Sequence, residues 1–234
     1  MYPVVPRRQR LRFLYWLTAL DGSEEPELRM LPALISGREV AIDVGANVGF
    51  YALRMSGLFT RVYAFEINDD LTHDLAAANP GNIEIIHVGL SSEAGQAVLY
   101  IPILNGMPLP GWASLAPNNC PDTSVHQTKP VEIRTLDSFN IESVSFIKID
   151  VEGHELHVLR GATRTLSTHR PTILVEIKTE NLDAVFRLLS ELDYVRHVPG
   201  ELNSHPASEN HLFVPKKSAT NASQDDVTSA QRIV

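Results

Sequence analysis

Cysteine occurs once, at Cys120, so the chain can close no disulfide on itself and a cysteine-based zinc site has nothing to build on. That usage suits a reducing cytoplasm, the compartment expected here. Long apolar runs are missing too: no stretch approaches the roughly 18 residues that a membrane span needs. A basic excess is also absent. The formal charge is -8 at neutral pH, with 20 Lys and Arg against 28 Asp and Glu. The chain thus lacks the positive field that gathers phosphate backbones, and a nucleic-acid partner is not expected. What is present is material for a core. Apolar residues make up 44% of 234 and charged residues 21%, which fits one folded domain of ordinary α/β size.

The first basic residues are clustered. Arg7, Arg8, Arg10 and Arg12 precede an apolar segment over 13–20, an order similar to the two halves of a secretory signal. The apolar part is short, Thr18 interrupts it, and the acidic segment 21–25 offers no small-residue cleavage site. The expectation is a basic amphipathic helix that packs on the domain or touches a partner, with a homodimer left open.

After Pro26 a helix is predicted over 27–35, closed by Gly37. Strands over 40–44, 62–65, 83–88, 144–149 and 172–177 then alternate with helices over 50–58, 69–79, 154–166 and 182–192. Short strands over 194–198 and 211–214 end the pattern. Such alternation implies an α/β fold: a Rossmann-like three-layer αβα sandwich around a mostly parallel sheet with right-handed crossovers. An antiparallel pair over 97–101 and 130–135 flanks a loop over 102–129, rich in Pro, Asn and Gly and carrying Trp112. A loop of that length and composition is predicted to be a lid or substrate loop. Residues 216–234 turn to Ser, Thr, Asn, Gln and Asp and are expected to be a disordered tail.

Three segments carry chemistry. The run Asp43-Val44-Gly45-Ala46-Asn47-Val48-Gly49-Phe50-Tyr51 stands where the first strand meets the first sheet helix, so Gly45 and Gly49 read as places where a ligand approaches backbone and Asp43 as an orienting acceptor. A dinucleotide turn would want a glycine where Asn47 stands. Glu66 ends the second strand about twenty residues on, where a carboxylate can accept both hydroxyls of a ribose. In the third segment, Lys148-Ile149-Asp150-Val151-Glu152-Gly153-His154-Glu155, the fourth parallel strand delivers Asp150 and Glu152 to the same edge as Asp43.

Together these segments resemble the FkbM family of S-adenosylmethionine-dependent methyltransferases. That family carries an Asp-x-Gly-Ala-Asn-x-Gly turn, an acid after the second strand and a Lys-x-Asp-x-Glu-Gly-x-Glu segment in this order. The resemblance spans 40–214 and is most specific over 150–161, with Leu159-Arg160-Gly161-Ala162 at its end. It implies the class I methyltransferase fold, a seven-stranded sheet with an antiparallel last strand. The chain then divides into an N-terminal helical segment over 1–37 that packs on the domain, a methyltransferase domain over 38–215 and the tail. By the resemblance Asp43, Gly45, Asn47, Gly49, Glu66 and Asp150 bind S-adenosylmethionine, with Leu90 and Ser91 beside the adenine.

The implied reaction is methyl transfer to a hydroxyl of a small molecule or glycan. An activated methyl group mainly demands that the acceptor oxygen be held in line and relieved of its proton, for which Asp150, His154 and Glu176 are the candidates. Trp112, Ser114 and Glu152 are candidates for holding the acceptor, Trp112-Ala113-Ser114-Leu115 being similar to a Ser-Leu element of the family. A divalent metal at Asp150 and Glu152 is possible but not expected, because Lys148 lies close by and no further acid completes an oxygen cage. His154 and His157 lack the glutamate of a zinc helix. Two alternatives stay open: a nicotinamide-dependent oxidoreductase, and a non-catalytic module that keeps the cofactor fold.

Overall fold

The computed structural model describes residues 5–116, 125–198 and 210–216. Helices α1 (Arg7–Asp21) and α2 (Pro26–Leu34) lead into β1 (Val40–Val44), α3 (Phe50–Ser56), β2 (Arg61–Phe65), α4 (His73–Ala78) and β3 (Ile83–Ile86). The pattern is then interrupted by β4 (Gly89–Leu90), β5 (Gly95–Leu104), β6 (Met107–Pro108) and β7 (Val125–Arg134). It resumes with β8 (Val144–Ile149), α5 (Glu155–Arg160), α6 (Thr163–His169), β9 (Thr172–Glu176), α7 (Leu182–Glu191), β10 (Tyr194–His197) and β11 (Asn210–Pro215).

Seven strands form one sheet in the order β3-β2-β1-β8-β9-β11-β10. The strands from β3 to β9 are mutually parallel, and β11, last in the chain, runs antiparallel to both β9 and β10. Because successive side chains alternate between faces, apolar strands buried on both sides feed two cores. Ala41, Phe146 and Leu174 pack with Leu11, Leu31, Met55 and Leu75 under α1 to α4. Ile42, Val44, Ile147, Ile149 and Val175 pack with Val158, Leu166, Val185 and Leu189 under α5 to α7. Phe146 is fully buried, and its truncation to alanine would cost about 3–5 kcal/mol.

Three elements depart from expectation. The helix predicted over 154–166 is two helices, because Gly161 turns the chain tightly against the carbonyl of Ser91, where any β-carbon would collide. The helix predicted over 69–79 opens as a 3-10 turn, Asp69–Leu71, closed by Thr72, whose hydroxyl donates to the carbonyl of Asp69 at 3.0 Å. The ribbon is also longer than its apolar content suggested: β5 and β7 pair from Gly95 opposite Ile133 to Ile103 opposite Val125, so strand occupies both ends of the expected loop. Leu99, Ile101 and Val131 give the ribbon its own small core.

The N-terminal segment rests on the sheet's helices. Leu11 is fully buried, the Tyr15 and Phe50 rings lie 6.0 Å apart, and Tyr15 donates to Glu24 at 2.5 Å. Gly22, at φ 78°, ends α1 in the left-handed conformation that glycine adopts without strain. Among the described residues no helix is long and apolar enough to cross a membrane. Cys120, positions 117–124 of the expected loop and the tail beyond 216 lie outside the described residues.

Candidate active site

Strand register assembles the site. Val44 of β1 stands opposite Phe65 and Ile149, and Ile149 opposite Val175. The next residues, Gly45, Glu66, Asp150 and Glu176, therefore form a row along the carboxyl edge, where open α/β sheets bind ligands.

The turn after β1 is held by backbone. The N–H groups of Gly45 and Ala46 both donate to the carbonyl of Phe65, at 2.9 and 3.0 Å. Gly45, Asn47 and Gly49 have φ of 77°, 51° and 96°, a left-handed run in which asparagine is one of the few side chains tolerated. The protein itself requires the glycines: a β-carbon on residue 45 would strike the carbonyl of Asp150, and one on residue 49 would lie 2.7 Å from the Leu75 side chain.

Glu66 is fixed at both oxygens. Asn47 N–H donates to Oε2 at 2.7 Å and Asn68 N–H to Oε1 at 2.8 Å, and the carboxylate is 6% exposed. Burial raises its pKa while these backbone donors pull it down. Each oxygen keeps a lone pair, and the cleft it lines has apolar walls from Phe65, Ile67, Val88, Leu90, Leu99 and Leu115. A diol on Glu66 beside a flat apolar slot is the fit a ribose and adenine require.

Beneath this cleft lies buried charge. Asp43 stands opposite Lys148 on the neighbouring strand, on the same face of the sheet. Burial drives the Asp43 carboxyl up to about 7, Lys148 opposing and Asp150 reinforcing the rise. One of its oxygens accepts from Ala52 N–H, and Oδ2 has no hydrogen-bond partner among the described residues. Lys148, 1% exposed, donates to Asn210 Oδ1 at 3.1 Å, lies 3.7 Å from Asp150 Oδ2 and sits 5.1 Å over the Tyr51 ring. Burial alone would lower its pKa, but Asp150, Glu25, Glu176 and Asp43 outweigh that and hold it above the ordinary lysine value. Tyr51 in turn donates to Glu25 at 2.8 Å, which ties the loop before α2 to the site.

At the edge Asp150, Glu152 and Glu176 present oxygens that all lie within 4.8 Å of one another. The expectation that no further acid joins Asp150 and Glu152 is overturned, since the register of β9 with β8 brings Glu176 to them. Lys178 sits between two of the three, 3.1 Å from Glu152 Oε2 and 3.4 Å from Glu176 Oε1. Burial and then the charge of Asp150 push Glu176 up to about 7, against the pull of Lys148 and Lys178.

The segment after Asp150 is strained and clamped. Glu152 and Gly153 both take positive φ, 49° and 95°, which costs most at the non-glycine residue. Glu155, buried, accepts from Gly153 N–H at 2.5 Å and from Asn181 Nδ2 at 2.8 Å, and the same Asn181 amide donates to the Gly153 carbonyl at 2.9 Å. Ser114 adds a third clamp, its hydroxyl donating to the Glu152 carbonyl at 2.7 Å while accepting from Ala116 N–H. Ser114 thereby holds the ribbon on this turn. Trp112 lies on the neighbouring 3-10 turn, 54% exposed. His154 Nε2 lies 3.0 Å from Ser91 Oγ, and burial followed by the charge of His157 lowers its pKa to about 4, so it is neutral at working pH.

Of the residues singled out from sequence, Gly45, Asn47, Glu66, Leu90, Ser114, Asp150, Glu152 and His154 line one cleft. Asp43 lies under it, Gly49 packs on Leu75, Ser91 turns to His154, and Glu176 joins through the acid group. Lys148, Tyr51, Glu25, Glu155, Lys178 and Asn181 were not singled out. Glu155 and Lys148 lie inside the third motif and Tyr51 closes the first, so each could have been; Glu25, Lys178 and Asn181 meet the site only through tertiary packing.

The sheet order, with its antiparallel last strand, and the cleft at its carboxyl edge are those of the class I methyltransferase fold. The Methyltransferase FkbM domain model matches residues 43–196. The hexuronic acid methyltransferase AglP of Haloferax volcanii is 31% identical over 178 residues, covering 72% of this chain and 68% of that protein. The crystal structure of methyltransferase FkbM from Methylobacillus flagellatus shares the fold at a TM-score of 0.50 and 21% identity, over 76% of this chain; this chain spans 43% of the length of that one. The chain belongs to the FkbM methyltransferase family and is an S-adenosylmethionine-dependent methyltransferase. That assignment sets aside the nicotinamide-dependent oxidoreductase.

Proposed function

We propose that this protein transfers a methyl group from S-adenosylmethionine to a hydroxyl of a glycan. The observation that carries the reading is the row at the sheet edge, in which Glu66, pinned by Asn47 and Asn68, stands in line with Asp150 and Glu176. Glu66 takes the ribose hydroxyls, the slot beside Leu90 takes the adenine, and the partnerless Asp43 Oδ2 is assigned to the amino group. The cofactor supplies a methyl group already activated on positively charged sulfur, a charge that the surrounding acids favour.

The chain's own work is then orientation and deprotonation. Glu176, with a pKa near neutrality, is the assigned base, with Asp150 and Lys178 fixing its charge state. His154, neutral and engaged with Ser91, bounds the cleft beside the acceptor. Trp112 offers an exposed ring on which a sugar can stack. The glycan class rests on the likeness to a hexuronic acid methyltransferase; the acidic rim argues against a polyanionic acceptor such as nucleic acid, and the single cysteine suits a cytoplasmic enzyme. The test is transfer of labelled methyl to a panel of neutral and uronic-acid oligosaccharides. Transfer to a sugar hydroxyl is expected; labelling of small-molecule alcohols but of no sugar would remove the glycan, and no calorimetric binding of the cofactor would remove the whole reading.

A further inference from the structure

The outer face of α1 has a composition that helix stability does not ask for. Arg8, Arg12, Trp16 and Leu20 recur at steps of four, a spacing that lays them along one side of the helix, and all four are exposed. Trp16 is 54% and Leu20 64% exposed, and Phe13 stacks on Trp16 with ring centres 6.0 Å apart. The inner face is already occupied, through Leu11 and the Tyr15–Glu24 hydrogen bond, so the outer stripe is not a core face awaiting its own domain.

Three features set the stripe against local preference. The first turn of α1 holds no acid and several arginines, where the helix dipole is positive and disfavours them. Arg8 and Arg12 are like charges one turn apart. Neither forms an ion pair among the described residues, whereas Arg7 pairs with Asp74 at 3.2 Å. Positions 1–20 hold four arginines and no acid in a chain whose total is -8, so the first turns of α1 are cationic on an acidic body, with Asp21 at the helix's far end its one acid. Arginines followed by an exposed aromatic and leucine on one rigid face are complementary to a surface that is anionic outside and apolar within. The helix is too short and too charged to cross such a layer, so it would lie along it.

We infer that α1 docks this enzyme onto an anionic lipid surface through Arg8, Arg12, Trp16 and Leu20. The experiment uses the full chain and vesicles of phosphatidylcholine alone or with roughly one-third phosphatidylglycerol. Co-sedimentation should be at least about tenfold stronger on the anionic vesicles and lost in about 0.5 M salt. The double substitution Arg8→Glu with Arg12→Glu should lose it about tenfold or more. Tryptophan emission should shift to the blue on vesicle addition, and that shift should vanish in Trp16→Phe. Both variants should keep cofactor binding by calorimetry, which separates failure of docking from failure of the fold or of the methyltransferase site. Equal binding to both vesicle types, no binding to either, an undiminished charge-reversed variant, or preferential capture of RNA by the same arginines would each overturn the inference.

Discussion

The carbonyl oxygen of Asp150 occupies the place that a side chain on residue 45 would take. The two turns that build the cleft, after β1 and after β8, are thus in backbone contact, and the glycine serves that contact before it serves any ligand. Gly45→Ala adds both this collision and a left-handed φ of 77°. The expected loss is about 3 kcal/mol or more of unfolding free energy, read by urea denaturation, with little folded protein recovered at 37 °C. A variant as stable as the wild type would show that the two turns can part.

Asp43→Asn should separate folding from binding. The amide oxygen can still accept from Ala52 N–H while the buried charge disappears. In the wild type the folded carboxyl titrates near 7 and the unfolded one near 3.8, so the native state binds more protons between those values. Stability therefore falls as pH rises from about 4 to about 7, and the asparagine variant lacks that fall. At pH 8 it should be more stable by about 1–3 kcal/mol in thermal or urea melts, yet bind S-adenosylmethionine at least about tenfold more weakly.

Glu66→Gln tests the ribose contact. Losing charge-assisted acceptance should weaken cofactor affinity by about ten- to a hundredfold, measured by calorimetry with S-adenosylhomocysteine. At saturating cofactor the turnover number should change far less, because the interaction is made equally before and during transfer.

How legible these parts were depended on whether sequence neighbours or space neighbours decide them. β1 and β8 are readable to the residue because β1 is apolar but for Asp43 and closes at Gly45, and β8 runs to Ile149 before Asp150. The split at Gly161 was not, since its cause is the Ser91 carbonyl seventy residues earlier. The ends of β5 and β7 escaped notice because Gln127, Thr128 and Lys129 have no apolar pattern and become strand only by pairing with Ile101, Tyr100 and Leu99. In the site, Glu66 and Asp150 follow from strand ends, but the buried pairing of Asp43 with Lys148 follows from register, which one strand's sequence does not contain.

Chelation should leave the reaction intact. Asp150, Glu152 and Glu176 have the proximity of a cation site, but Lys148 and Lys178 already stand within 4.0 Å of their oxygens and supply the positive charge there. Labelled-methyl transfer in excess EDTA is expected to match that in magnesium. A loss restored by a divalent cation would reassign the three acids as ligands.

The pH profile at saturating substrates bears on Glu176. As an acid raised to about 7 it holds its proton below that value and cannot accept another, so the rate at saturating substrates should climb through about pH 7 and level above it. Glu176→Gln keeps the size of the side chain and removes both the base and the titration. Turnover should drop by about 10²–10⁴, the residual rate should lose its inflection near 7, and cofactor affinity should stay within about threefold. If instead the inflection persists in the glutamine variant, the titrating group lies elsewhere. Asp43→Asn then becomes the decisive measurement, because Asp43 is the other buried carboxyl of the site that burial holds up at about 7.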